Sequence, residues 1–176
     1  FVSPQISYGL ENSGQAINKP YWLDALIEEQ TNPNGYLDVI NSTGGGFQYS
    51  FPEVQPDYLT NTPDLNGWSV VNNQVKVASR DIFSSLASFL DISFIETSNP
   101  NRVSVIAIMG NIQEDTTGYA YDPLDVIHPI ENYLFSDVFI SMDYQNPATE
   151  GHIRNFDHEL LLHEIGHAIG LKHPFI

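Results

Sequence analysis

Apolar and polar residues alternate with two different periods in the middle of the chain. Residues 47–51 alternate between aromatic and polar side chains, a period of two that predicts a half-buried strand. Residues 74–91 repeat apolar side chains at helical intervals, which predicts an amphipathic helix packed against a sheet. Residues 92–96 and 103–109 are predicted to be strands, the second apolar enough to lie inside the sheet. A strand, a helix and a strand in this order predict a right-handed crossover between parallel strands.

The end of the chain carries a second helical pattern. A helix is predicted to begin at Asn155 or Asp157, either of which is a suitable N-cap, and to end near Ile169. Its apolar residues would face the sheet: Leu160, Leu161, Ile165 and Ala168. Before this helix, residues 138–141 predict a short strand, and the acidic segment 113–125, which contains Gly and Pro, predicts a loop.

The final helix contains the start of a motif with the spacing H-E-x-x-H-x-x-G-x-x-H, which ends at His173. His163 and His167 are four residues apart and lie on one face of a helix, where both imidazoles can bind a single ion. Gly170 has no Cβ and can take the left-handed conformation that ends a helix, which would bring His173 back as a third ligand. Three imidazoles leave one position of a tetrahedral Zn²⁺ open for water, as in a catalytic site.

Glu164 follows the first histidine of the motif and would lie beside the metal, where a carboxylate can hydrogen-bond a water without being a ligand. The alternative is a helix whose histidines merely occupy a polar face. Three ligands, an acid and a helix-ending glycine in register favour the metal site over that alternative. The predicted metal ligands are therefore His163, His167 and His173, and the predicted catalytic residue is Glu164.

The motif and its surroundings resemble the metzincin zinc endopeptidases, and among them the serralysin-type proteases of bacteria. The likeness runs from about Phe47 to Phe175 and is most specific in the zinc motif. It also includes the segments 49–52, 90–96, 118–123 and 137–140. The resemblance implies an α+β or α/β fold with a twisted mixed sheet, mostly parallel, that has an antiparallel edge strand, a packing helix and a long active-site helix. It further implies that residues 138–141 form this edge strand, where an extended peptide could pair.

The resemblance also implies a function, that of a secreted, extracellular zinc endopeptidase that hydrolyses peptide bonds with a zinc-bound water and Glu164 as the base. Its partners would be protein or peptide substrates, a protein inhibitor, and the C-terminal part of the same protease, which in the family carries a Met-containing turn. Met109 and Met142 both precede the motif, so residues 1–176 are expected to be a single catalytic subdomain without this turn. Two alternatives are a zinc-binding but inactive fragment or nicked half of such a protease, and a module that binds proteins through its acidic face without zinc.

Composition narrows the range of partners and cofactors. The 176 residues include 22 acids and 6 bases, with a formal net charge of −16, which disfavours binding to nucleic acid or to anionic membranes. The chain has no cysteine and no apolar run of the ~18 residues that a membrane span needs. Ca²⁺ is a second cofactor to consider, because Asp115, Asp122 and Asp125 could supply oxygen ligands. These residues lack EF-hand spacing, which favours an ordinary acidic loop.

Overall fold

The secondary structure is drawn from a computed structural model, which describes residues 46–59, 67–90, 92–98, 105–111, 117–121, 136–141 and 153–173. The strands and α-helices in these segments are β1 (Gly46–Ser50), β2 (Trp68–Ser69), α1 (Asn73–Leu90), β3 (Ser93–Glu96), β4 (Val105–Asn111), β5 (Gly118–Ala120), β6 (Val138–Ser141) and α2 (Ile153–Ala168). A short 3₁₀ helix covers Asp57–Leu59.

The strands form one mixed sheet in the described part of the chain. Their order is β3–β1–β4–β6–β5, and β2 pairs with β4 outside this path. β1 is parallel to both β3 and β4, and β4 is parallel to β6. β2 and β5 are antiparallel to their partners β4 and β6. The prediction of a mixed, mostly parallel sheet with a packing helix and a long final helix is confirmed, as is the parallel pairing of the strands on either side of α1.

The prediction that residues 138–141 form the antiparallel edge strand is wrong. β6 lies inside the sheet between β4 and β5, and all of its residues are buried. Its sequence, Val-Phe-Ile-Ser, begins with an apolar run that is typical of an interior strand with both faces covered. The antiparallel strand at this end of the sheet is β5, which consists of three half-buried residues within the segment 113–125 that was predicted to be a loop.

α1 begins where the sequence predicts it and packs on β1 and β3. The side-chain oxygen of Asn72 accepts a hydrogen bond at 3.0 Å from the backbone three residues later, which caps the helix. Phe83 stacks on Tyr49 of β1, with the ring centroids 4.2 Å apart. Arg80 donates from Nε at 2.7 Å and from Nη2 at 2.8 Å to the two carboxylate oxygens of Glu96 in β3. The ring stack and this bidentate ion pair hold α1 against both strands.

α2 packs on the same face of the sheet and shares its core with α1. Leu161, Ile165 and Ala168 are buried there, as the helical pattern predicts, and Leu160 is partly buried against them. The strands contribute their inward-facing apolar side chains: Phe47, Tyr49, Ile106, Ile108, Val138 and Ile140. Burial of apolar surface stabilises the fold by about 25 cal/mol for each Å² removed from water. Turning α2 would expose this apolar face, so the contact fixes the rotation of α2 about its own axis.

The opposite face of the sheet carries a smaller cluster built around Leu59, Ala107, Met109 and Phe139. Beside it lies Asp137, which is 1% exposed and accepts a 3.2 Å hydrogen bond on Oδ1 from the hydroxyl of Tyr58. Burial raises the pKa of Asp137 to about 7, although the Tyr58 hydroxyl and the backbone of Ala107 act in the opposite direction. The carboxyl group therefore links the 3₁₀ helix to the start of β6 and titrates near neutrality.

We expect Asp137→Asn to change how stability depends on pH. Because the pKa of Asp137 is raised from the ordinary 3.8 to about 7, its contribution to stability is present below pH 3.8 and is lost as the pH rises through 7. Asparagine does not ionise, so the variant should lose less stability over this interval. Urea unfolding at about pH 4 and about pH 8 measures this loss. Between the two pH values the free energy of unfolding should fall less in the variant than in the wild type, by on the order of 1–4 kcal/mol.

The Tyr58 hydroxyl provides a second variant for this measurement. Tyr58→Phe removes a hydrogen bond that favours the ionised carboxylate, so it should extend the loss of stability to higher pH. Other titrating groups are shared by all the proteins and cancel in the differences. An equal pH dependence in wild type and Asp137→Asn would show that this carboxyl group does not titrate in the interval.

Candidate metal centre

The three histidines of the motif converge at the C-terminal end of α2. Their Nε2 atoms form a nearly equilateral triangle, with 3.1 Å between His163 and His167, 3.2 Å between His167 and His173, and 3.0 Å between His173 and His163. His163 and His167 are one helical turn apart, and His173 comes from the segment that follows the helix. Together these side chains could hold a single metal ion.

A glycine turn at the end of α2 brings His173 to the other two histidines. Gly170 has a φ of 96°, in the left-handed region that the sequence predicts for it. Its N–H donates to the carbonyl of His167 at 2.8 Å, and the N–H of Leu171 donates to the carbonyl of Gly166 at 2.9 Å. These two bonds are those of a Schellman motif, which satisfies the last helical carbonyls and reverses the chain.

The same turn fixes the tautomer of one histidine. Nδ1 of His167 lies 2.7 Å from the carbonyl oxygen of Leu171. A carbonyl oxygen can only accept, so Nδ1 carries a proton and donates it, and in the neutral tautomer with this bond Nε2 is the nitrogen that can bind a metal. Histidines that bind metals are commonly oriented by such a bond from their other ring nitrogen. The N–H of Leu171 thus caps the helix end, and its carbonyl oxygen accepts the hydrogen bond from His167.

The donor set fits a tetrahedral zinc ion. Nitrogen atoms 2.0–2.1 Å from Zn²⁺ lie about 3.3–3.4 Å apart in ideal tetrahedral geometry. The Nε2 separations of 3.0–3.2 Å are close to this value. Burial, followed by the charges on His167 and His173, lowers the pKa of His163, which favours the neutral imidazole that a metal requires.

Glu164 is turned into the protein although the residue before it is exposed. Only 6% of its surface is accessible, and its carboxylate accepts a hydrogen bond from the backbone of Ala120 in β5. Burial raises the pKa of Glu164, and the charge of His167 and the bond from Ala120 oppose this rise. A carboxylate with a raised pKa is a stronger base than an exposed one, which suits it to proton transfer.

The other histidines, the methionines and the residues considered for Ca²⁺ either lie away from this centre or fall outside the described residues. His158 is exposed on α2, and Met109 is buried in the sheet. The residues considered for Ca²⁺, and the remaining histidines and methionine, lie outside the described residues: Asp115, Asp122, Asp125, His128, His152 and Met142. Calcium binding therefore stays a prediction.

Two groups of the centre were not identified from the sequence, namely the carbonyl of Leu171 and the N–H of Ala120. Both belong to the backbone, and almost every residue type offers them, so composition and spacing give no signal. The resemblance of the segment 118–123 to the serralysin-type proteases is the one sequence feature that points to the neighbourhood of Ala120.

We expect Gly170→Ala to weaken both the helix end and metal binding. A Cβ at a φ of 96° is strained, so the variant should lose about 1 kcal/mol of unfolding free energy and hold His173 less firmly. Gly166→Ala is the matched control, because a methyl group there would meet the Leu171 side chain at an ordinary 3.7 Å. Alanine inside a helix is favoured over glycine by about 1 kcal/mol, so this control should be more stable. Thermal unfolding and Zn²⁺ titration would distinguish the two, and equal effects would contradict the role of the turn.

Comparison with known proteins adds a distant relationship. No family model matches the chain. The serralysin of Photorhabdus laumondii subsp. laumondii is 27% identical over 146 residues, which cover 80% of this chain and 28% of that protein. The serralysin of Photorhabdus luminescens is 24% identical over 143 residues, with the same coverage of 80% and 28%. The chain thus spans less than a third of the length of these curated relatives, and the likeness supports a distant, serralysin-like relationship and a metalloprotease family.

Proposed function

We propose that this chain is the catalytic part of a secreted, zinc-dependent endopeptidase of the serralysin type. The proposal rests on one observation, the convergence of three Nε2 atoms within 3.2 Å of one another beside a buried carboxylate. The distant likeness to the Photorhabdus serralysins supports it independently. Metal-assisted hydrolysis of a peptide bond requires these parts, a Lewis acid and a base within reach of the same water.

His163, His167 and His173 would hold Zn²⁺ through their Nε2 atoms. When bound there, Zn²⁺ supplies Lewis acidity, which acidifies a water and polarises the peptide carbonyl. The Leu171 carbonyl keeps His167 in the tautomer and ring orientation that present Nε2 to the other two nitrogens. Three protein ligands are the number typical of catalytic zinc sites, whereas structural sites use four.

Glu164 would act as the general base. One carboxylate oxygen accepts the Ala120 N–H, which leaves the other to take a proton from the attacking water and later to return it to the leaving amine. Its low exposure keeps bulk water away from the carboxylate, and its raised pKa brings its basicity closer to what the transfer requires.

The substrate would be an extended stretch of peptide beside β5. β5 forms one end of the strand order in the described residues and is paired to β6 on one side. Strands at such an edge can pair with the backbone of a peptide whatever its side chains, which suits an endopeptidase that acts on many proteins. Since β5 also contacts Glu164 through Ala120, a peptide at this edge would have its carbonyl groups near the base.

The resemblance to serralysin-type proteases is the reason to expect that the protein is secreted. The chain contains no cysteine, so an oxidising environment neither cross-links it nor damages a thiol.

Among the residues that the structure describes, neither helix has the length and apolar character of a membrane span.

We expect the zinc-loaded protein to cleave an unstructured protein substrate, and Glu164→Ala to bind zinc with unchanged stoichiometry while turnover falls by about 10²–10⁴-fold. The reason is that Glu164 moves a proton and is not a ligand. His158→Ala is the matched control, because this histidine is exposed on the same helix, away from the triad, and should leave both properties unchanged. Wild-type cleavage rates in Glu164→Ala would remove this residue from the mechanism.

The same assay addresses the alternative that the chain binds zinc without acting on peptides. A wild-type protein that holds one zinc and cleaves nothing would support a metal-binding part of a protease that lacks activity by itself. Cleavage that is lost with a chelator and restored by Zn²⁺ would contradict this alternative.

We expect His173→Ala to weaken zinc binding more than about 100-fold, because loss of a group that merely orients a ligand already costs about 10–100-fold. Competition with a chromophoric chelator measures the affinity, with His158→Ala again as the control. Metal content and affinity equal to those of the wild type would show that the third ligand is a different residue.

A further inference from the structure

The backbone of β5 presents alternate residues to β6 and to the outside. The N–H of Tyr121 donates to the carbonyl of Asp137, and the N–H of Ser141 donates to the carbonyl of Thr117. In an antiparallel pair the residues between such bonded positions direct their N–H and C=O groups away from the partner strand. Ala120 is one of these residues, and this is why its N–H is available to the carboxylate of Glu164.

Gly118 is two residues before Ala120 and lies on the same face of β5. A Cβ at this position would lie 3.0 Å from the carbonyl oxygen of Phe139, 3.3 Å from Cδ1 of Ile140 and 3.5 Å from Cγ of Glu164. The left-handed glycines among the described residues are Gly67 and Gly170, so Gly118 has an ordinary backbone conformation. A side chain at position 118 would therefore be crowded against β6, while its Cβ would only touch Glu164 at an ordinary distance, so glycine serves here for space and not for its conformational freedom.

A side chain at position 118 could be accommodated by movement of β6 or of Glu164. β6 is an interior strand with every residue buried, and a Cβ at position 118 would meet its Phe139 carbonyl oxygen at 3.0 Å and Cδ1 of its Ile140 side chain at 3.3 Å. The backbone carbonyl yields little, whereas the end of the Ile140 side chain can move slightly. Glu164 is held by its own helix backbone, but its side chain can rotate. The Glu164 side chain is therefore the group that a residue larger than alanine would displace.

We propose that Gly118 is a positioning residue for Glu164, because its missing side chain lets β5 approach closely enough for the Ala120 N–H to hold the carboxylate. This inference rests on the proposed function, in which Glu164 is the base. It adds a constraint on the edge strand that the zinc motif does not contain. Position 118 must stay small for the base to keep its place, even though it is 46 residues from Glu164 in sequence.

The test compares Gly118→Ala and Gly118→Val with Thr117→Val. Thr117 is the adjacent residue of the same segment, faces the other side of the strand, and keeps its shape as valine. We expect Gly118→Val to lower kcat by about 10–100-fold with KM changed less than about 3-fold and zinc content unchanged, since small misplacement of a catalytic group is costly. Gly118→Ala should show a smaller loss of the same kind, and it carries the test if the valine protein does not fold.

A measurement without catalysis keeps this inference separate from the proposed function. The ¹H–¹⁵N amide resonance of Ala120 should move in Glu164→Gln, which changes the acceptor, and in Gly118→Ala, whose Cβ would crowd the Phe139 carbonyl oxygen at 3.0 Å and shift β5. Thr117→Val should leave it nearly in place. An Ala120 amide that is insensitive to Glu164→Gln, or an unchanged kcat in both Gly118 variants, would overturn the positioning role. A wild-type protein without peptidase activity would overturn the proposed function while the amide result still decides whether Gly118 positions Glu164.

Discussion

The candidate centre depends first on how α2 is rotated about its axis, and burial of Leu161, Ile165 and Ala168 against the sheet sets that rotation. Successive helical residues are about 100° apart, so fixing the apolar face fixes every other direction. Glu164 then points into the protein beside β5, whereas His163 stays at the surface. Packing of one face of α2 thus places the carboxylate of Glu164 in the interior and the imidazole of His163 at the surface.

Elements with a strong period could be predicted from the sequence, whereas the position of a strand within the sheet could not. α1 and β4 were found within one or two residues of the predicted bounds, because each has a regular pattern of apolar positions. β6 was expected at an edge and lies inside, since its neighbours are determined by segments far away in the chain. β5 has only three residues, Gly-Tyr-Ala, and is a strand because β6 pairs with it.

The candidate site likewise has a part that could be predicted from the sequence and a part that could not. The convergence of the three histidines follows from a helical turn and a glycine turn, which are local and could be predicted from spacing. The contacts of the Leu171 carbonyl and the Ala120 N–H involve groups that every backbone has, so no residue type reveals them. The same holds for the Tyr58–Asp137 bond, whose partners are 79 residues apart and meet only because the sheet brings them together.

This difference between near and distant contacts bears on the order of folding. The pairing of β1 with β4 joins Gln48 to Val105, so the sheet closes long loops, which slows its formation. The histidine triad, in contrast, lies within the eleven residues 163–173 of one helix and its turn. We expect the triad to be able to assemble, and to capture an ion, while the sheet is still incomplete. Glu164 gains its buried environment only after β5 has docked, so in the proposed function metal uptake would precede formation of the complete site.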